Sequence, residues 1–232
     1  MKALCVAVVL SLVSASQAAP LTCEKLLTPA EKGPELSGRW HYIALSTELC
    51  LPTSILNTFF WPSLAMEITA KDTPNIYDGM SVVKMYGYCF NDSEAYKYEN
   101  NKIFDVNDQN VPTGDADVML YTSCPDCIVI KSNDIVDSLI LLSRRKTISD
   151  AEMKEFEQQT NCRRWSKPLV LNSDHEHDKC QFIDENISEE EASDVLKNVL
   201  VGLFERVKTT HQSFISCLVE SFIKSFSTTS EN

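Results

Sequence analysis

Between residues 37 and 145 the chain alternates short runs of β-forming residues with clusters of turn-forming ones. Strands are predicted over 38–46, 63–69, 80–90, 94–98, 102–106, 118–123, 127–131 and 138–144. Thr73-Pro74-Asn75, Asn100-Asn101 and Val111-Pro112-Thr113-Gly114 supply turn chemistry between them. Alternation is clearest in the second run, where Leu64, Met66 and Ile68 share one face and Ala65, Glu67 and Thr69 the other. Eight short strands with no intervening helix imply an antiparallel barrel or sandwich.

The period then changes. Ser149 followed by Glu152 is a capping-box pattern, and Met153 and Phe156 give the predicted helix 149–162 an apolar stripe to lay on a sheet. Residues 172–179 are polar and read as a linker or a loose return strand. A second capping box, Ser188 with Glu191, opens a tail in which Leu196, Val199, Leu200, Leu203, Val207, Phe214, Leu218 and Phe222 recur at helical spacing. Residues 189–226 are expected to form one or two amphipathic helices, broken near Gly202 or at Thr209-Thr210.

The first residues change where this protein is placed. Lys2, an apolar run over 3–13 and the small residues of Ser16-Gln17-Ala18 form a secretory leader. That run is too short to cross a bilayer, and no later stretch reaches the ~18 apolar residues a span requires. A secreted, extracellular chain beginning near Ala19 is expected, without stable membrane insertion. The formal charge of −12 argues against nucleic acid and anionic membranes, which would repel it. Outside the leader stand Cys23, Cys50, Cys89, Cys124, Cys127, Cys162, Cys180 and Cys217, an even set that favours disulfides in an exported protein. Asn91 and Asn186 each begin a glycosylation sequon.

The sharpest local signal is Leu36-Ser37-Gly38-Arg39-Trp40-His41-Tyr42-Ile43-Ala44, a glycine two residues before a tryptophan at the start of the first strand. Arg144 closes Leu139-Ile140-Leu141-Leu142-Ser143 just ahead of the 149–162 helix. Together with eight strands and a following helix, these residues resemble the lipocalin family. The resemblance implies an all-β, eight-stranded, antiparallel up-and-down (calycin) barrel with a flanking α-helix. To this the chain adds a C-terminal helical extension. The expected organisation is a signal peptide at 1–18, the barrel domain at 19–180 and an amphipathic tail at 181–232. Gly38, Trp40 and Arg144 are implied to close the barrel, the indole sealing its narrow end and the guanidinium lying across it. A cation–π contact of that kind is worth ~1 kcal/mol or more when desolvated.

The cysteine positions, with a sequon just after Cys89, resemble the orosomucoid and apolipoprotein M branch, as does Leu120-Tyr121-Thr122-Ser123-Cys124-Pro125. Among fish members, the tributyltin-binding and saxitoxin/tetrodotoxin-binding proteins are similar. The resemblance implies bridges Cys23–Cys162 and Cys89–Cys180. The family's Thr-Asp-Tyr turn is absent, and Asn133-Asp134-Ile135 stands in its neighbourhood. Cys124 and Cys127 read as a structural bridge, which leaves Cys50 and Cys217 to pair, although four cysteines allow three connectivities.

A carrier for a small lipophilic or amphipathic molecule follows from the resemblance, whether a lipid, a hydrophobic xenobiotic such as an organotin, or a toxin. The expected cavity lining is Trp40, Tyr42, Leu64, Met66, Ile68, Val83, Met85, Val129, Ile140 and Leu142. Alternation supports Leu64, Met66 and Ile68, and the resemblance supplies the rest. Other readings compete. The same residues could fill a solid core. Cys124-Pro125-Asp126-Cys127 has redox spacing, but β-formers follow where an activating helix should stand. His175 and His177 could ligate a metal but lack a third partner in sequence. Cys50 could serve a thiol-dependent isomerase if it were unpaired. The tail could dock on the barrel, self-associate or contact lipoprotein. No cofactor, metal or catalytic residue is expected.

Overall fold

A computed structural model describes residues 21–31, 33–133, 136–183 and 187–229. The expected leader and Asn186 lie outside them. Eight strands wind antiparallel: β1 Gly38–Thr47, β2 Ser63–Ala70, β3 Ile76–Met85, β4 Tyr88–Glu99, β5 Lys102–Val106, β6 Pro112–Leu120, β7 Cys127–Ser132 and β8 Ser138–Ser143. Their neighbour order is β4-β3-β2-β1-β8-β7-β6-β5, and β4 pairs with β5 to close the barrel. Two short strands add to this sheet. β9 (Leu169–Val170) joins the upper half of β1, and β10 (Gln181–Phe182) runs parallel to Tyr88 and Cys89 of β4.

The predicted run 80–90 contains a turn. Met85 pairs with Tyr88, and Tyr86 and Gly87 both take positive φ (53° and 86°), the two-residue loop that matches strand twist. The residues predicted as separate strands over 80–90 and 94–98 therefore divide between β3 and one continuous twelve-residue β4. Asn100 and Asn101 form the same kind of turn (φ 54° and 60°) between β4 and β5. Pro112 opens β6 rather than sitting in the preceding turn, a first-strand position where its missing N–H costs no ladder bond.

The flanking helix, α3 (Asp150–Arg163), is preceded by α1 (Cys23–Leu26) and by α2 (Cys50–Ile55), which runs on as a wider turn over Leu56–Phe60 between β1 and β2. Ser149 and Glu152 complete the capping box: Ser149 Oγ accepts from the Glu152 N–H, and the carboxylate accepts from the Ser149 N–H at 2.7 Å. Phe156 of α3 is buried against Ile43, Ala44, Val129, Leu139 and Leu141 on the barrel's outer wall. A shift in register between Tyr42 and Ala44 turns both Ile43 and Ala44 outward, so β1 departs from strict alternation there. Gly38 has φ 95°, and a Cβ on it would stand 2.9 Å from the Arg144 guanidinium, so both backbone and space require glycine.

The tail is one unbroken helix, α4 (Glu189–Thr229), rather than two. It docks beside the barrel mouth. Asn198 donates to the Tyr88 hydroxyl at 2.9 Å, Gly202 lies against the Tyr86 ring, and Arg206 donates to the Asn57 carbonyl at 2.7 Å while stacking over Trp61. Phe214 meets Phe59 edge-on, and Cys217 is bonded to Cys50. Gly202 sits in the helix because a side chain there would enter the Tyr86 ring. A neighbouring arc of the same helix leaves Leu196, Leu200, Val201 and Phe204 exposed. No helix among the described residues is long and apolar enough to cross a membrane.

Candidate functional site

The narrow end of the barrel is sealed by side chains. Trp40 is 1% exposed, its Nε1 donates to the Leu36 carbonyl at 2.8 Å, and the Arg144 guanidinium lies 3.9 Å from its ring centroid. Arg144 is held there by the carbonyls of Glu35 (2.7 Å) and Arg39 (3.3 Å). Above this plug Leu36, Ile68, Tyr96, Met119, Ile128 and Leu142 pack on Trp40 as one buried cluster.

Strand register carries the inner face upward from that cluster. Trp40 stands opposite Met66 and Gly38 opposite Ile68; Leu64 stands opposite Val83, and Met85 follows two residues on. On the far side Tyr42 faces Leu142, and Ile140 faces Ile130. Nine of the ten expected lining residues thus share the inner face. Val129 does not. It pairs with Leu141 and packs under Phe156 outside the barrel, because Ile128 and Ile130 take β7's inward positions.

Burial is uneven over this inner face. Trp40, Ile68, Met119, Ile128 and Leu142 are at most 5% exposed, whereas Tyr42, Leu45, Leu64, Met66, Ser81, Val83, Met85, Ile130 and Ile140 are only partly buried. The inner face is thus closed around Trp40 and less tightly buried along Leu64, Val83, Met85 and Ile140.

Register also places on this inner face polar groups that the alternation did not reveal. Gly79 opposes Glu94 on β4, and Ile103 opposes Asp117 on β6, which puts both carboxylates on the face that carries Tyr96 and Met119. Burial, then the charges of Glu94 and Asp117, push the Tyr42 phenol up to about 12. Burial likewise raises the Tyr96 phenol, with Tyr42, Asp78 and Glu94 adding to it. The Tyr96 hydroxyl lies 3.1 Å from the Met66 sulfur. Glu94 also reaches a recess of about 610 Å³ in the wall, shared with Asp105 and Asp108.

All eight described cysteines are paired, as Cys23–Cys162, Cys50–Cys217, Cys89–Cys180 and Cys124–Cys127. Cys50, considered above as a nucleophile, is thereby a disulfide half. Cys124, Cys127 and Glu152 cluster closely enough to hold an ion, but the two sulfurs are bonded together and Glu152 caps α3. Asn91 is exposed on β4. Segment 172–179 is not a solvated linker: His175 and His177 are each 4% exposed against the outer wall.

A family model described as the ApoM domain matches residues 33–184. Among solved structures, the siderocalin Ex-FABP, titled as functioning through dual ligand specificities, is similar with a TM-score of 0.50 and 15% identity over 65% of this chain and 100% of that one. A dog lipocalin allergen gives a TM-score of 0.44 and 14% identity over 67% and 99%. At these identities the likeness is one of fold. No curated protein sequence matches this chain.

Proposed function

The chain belongs to the ApoM domain family of lipocalins, and from that premise we propose that it is a secreted carrier whose cup takes a small amphipathic cation. The apolar body of the ligand lies against Leu64, Met66, Val83, Met85 and Ile140, and its charged head sits between Glu94, Asp117 and the Tyr42 and Tyr96 rings. The observation that supports this reading is that register puts Glu94 and Asp117 on the inner wall beside Tyr96 and Met119. Each attracts a cation, and tyrosine faces add to the attraction. Neutral lipids gain only the hydrophobic part, ~25 cal/mol per Å² of apolar surface removed from water. Organotins and guanidinium toxins, the ligands suggested by the resemblance to fish members, combine a positive centre with the capacity to leave bulk water. The reading requires no catalytic step.

Two ligands with the same tail and opposite heads test this directly. Calorimetric titration at pH 7 is expected to show decyltrimethylammonium binding at least tenfold more tightly than decanoate. Equal affinities, or a preference for decanoate, would remove the cationic head from the proposal and leave a general apolar carrier.

A further inference from the structure

Three histidines lie buried on the outside of the barrel where segment 172–179 crosses β1 and β2. His41, His175 and His177 are each 4% exposed, with ring centroids 4.5 Å apart for His41 and His175 and 5.9 Å for His175 and His177. Their partners fix where the protons are. A guanidinium only donates, so the contact of Arg39 with His177 Nδ1 at 3.3 Å places the His177 proton on Nε2. That N–H points at Ser63, whose Oγ is 3.3 Å away and whose carbonyl is 3.4 Å away. The Ser63 hydroxyl in turn donates to His175 Nδ1 at 3.0 Å, and His175 ends the chain with a hydrogen bond to the Lys146 backbone. The direction runs from a group that can only donate to a backbone carbonyl, and each imidazole is neutral in it. His41 Nδ1, stacked beside this chain, is buried without a hydrogen bond.

A further proton has no place here. On His177 it would face Arg39, and on His175 it would face the Ser63 hydroxyl proton. The charges around the cluster are unfavourable as well. Arg39 of β1, Lys84 of β3 and Lys146 after β8 are all cations, and the one acid among the interacting groups, Asp174, is already held by Lys84 at 2.8 Å. Burial first, and neighbouring charges after it, lower His41 and His175 to about 4 and lower His177 in the same direction.

The segment that carries His175 and His177 also anchors the mouth. Asn172 N–H donates to the Pro62 carbonyl at 3.2 Å, Trp61 Nε1 donates to the Val170 carbonyl at 3.2 Å, and Ser63 is the residue at which the β1–β2 mouth loop enters β2. We propose that the Arg39–His177–Ser63–His175–Lys146 chain is an acid-opened latch: proton uptake frees segment 172–179 from Ser63, and the mouth loop anchored there loosens. The segment swings rather than leaves, because Cys180 remains bonded to Cys89. Release of cargo in acidic surroundings follows, and that consequence alone rests on the carrier reading.

The sign follows from proton linkage. A histidine near 6.5 when exposed and about 4 when latched favours the latched state fully above pH 6.5, and the preference fades as pH falls towards 4. At pH 5.5 each such group shifts the opening equilibrium by about tenfold. Amide hydrogen exchange on the full-length, disulfide-bonded protein reads the latch without any ligand. Corrected for intrinsic rates, exchange at Leu171, Asn172 and His175 is expected to rise at least tenfold between pH 7.5 and 5.5. In H175Q/H177Q the dependence should flatten, and in S63A, which removes the central link and no titrating group, those amides should already exchange faster at pH 7.5. Protection that is independent of pH in the wild type, a pH dependence undiminished in H175Q/H177Q, or normal protection in S63A would each overturn the latch. Failure of decyltrimethylammonium to bind would leave these exchange results standing and refute the carrier reading instead.

Discussion

Trp40→Ala is expected to lower stability by roughly 3–5 kcal/mol, the range for emptying a buried aromatic site. Three losses combine. The indole is almost fully buried among Leu36, Ile68 and Leu142, its N–H is satisfied by the Leu36 carbonyl, and it is the surface on which the Arg144 guanidinium rests. Without it the guanidinium lies over a cavity, and the Glu35 and Arg39 carbonyls hold it above a hole that cannot collapse around a ring of hydrogen-bonded strands. In a domain of this size the fall corresponds to roughly 10 °C in thermal midpoint. Trp40→Phe, which keeps the volume nearly filled but loses the N–H, should cost much less. Urea unfolding followed by circular dichroism distinguishes the cases. A loss below about 1 kcal/mol for the alanine variant would mean that the narrow end is not plugged in this way.

Glu94→Gln is expected to weaken binding of decyltrimethylammonium about tenfold, and Glu94→Gln with Asp117→Asn about a hundredfold, while decanol, which has the same tail and no charge, keeps its affinity within about twofold. Tenfold corresponds to ~1.4 kcal/mol. Both amides fit the space of the carboxylates, so the fold should persist. The comparison with decanol separates loss of charge from damage to the cup. Equal losses for both ligands would indicate a disturbed barrel, and no loss for the cation would place its head elsewhere.

The architecture was legible in the sequence because its determinants are local or carry a strong family pattern. Leu64, Met66 and Ile68 announce an inner face by alternation, Ser149 and Glu152 announce a helix by mutual capping, and Gly38, Trp40 and Arg144 stand at the places the lipocalin resemblance implies. What escaped depends on pairing across strands. Met80 to Phe90 reads as one strand because Tyr86 is a β-former, yet Gly87 after it permits the two positive φ values of a tight turn. Val129 looked like a lining residue because an apolar strand buried on both faces gives no parity signal. Glu94 and Asp117 carry no sequence signal of their face, since a charge on an inner wall and a charge on an outer wall look alike until register assigns the face. The shift at Ile43 is invisible for a similar reason: one extra residue in one strand leaves no mark on composition. The histidine cluster is not legible in sequence because His41 and its neighbours His175 and His177 are more than a hundred residues apart in the chain.

The carrier account depends most on the upper barrel being an accessible cup whose inner wall meets the ligand. Methyl-labelled protein titrated with decyltrimethylammonium measures this residue by residue. Saturable shifts are predicted for the inward methyls of Leu64, Met66, Val83, Met85 and Ile140, with little change at the outward methyls of Ile43, Val129 and Leu141. Shifts confined to the outward set, or to the exposed Leu196 and Leu200 of the tail, would contradict it.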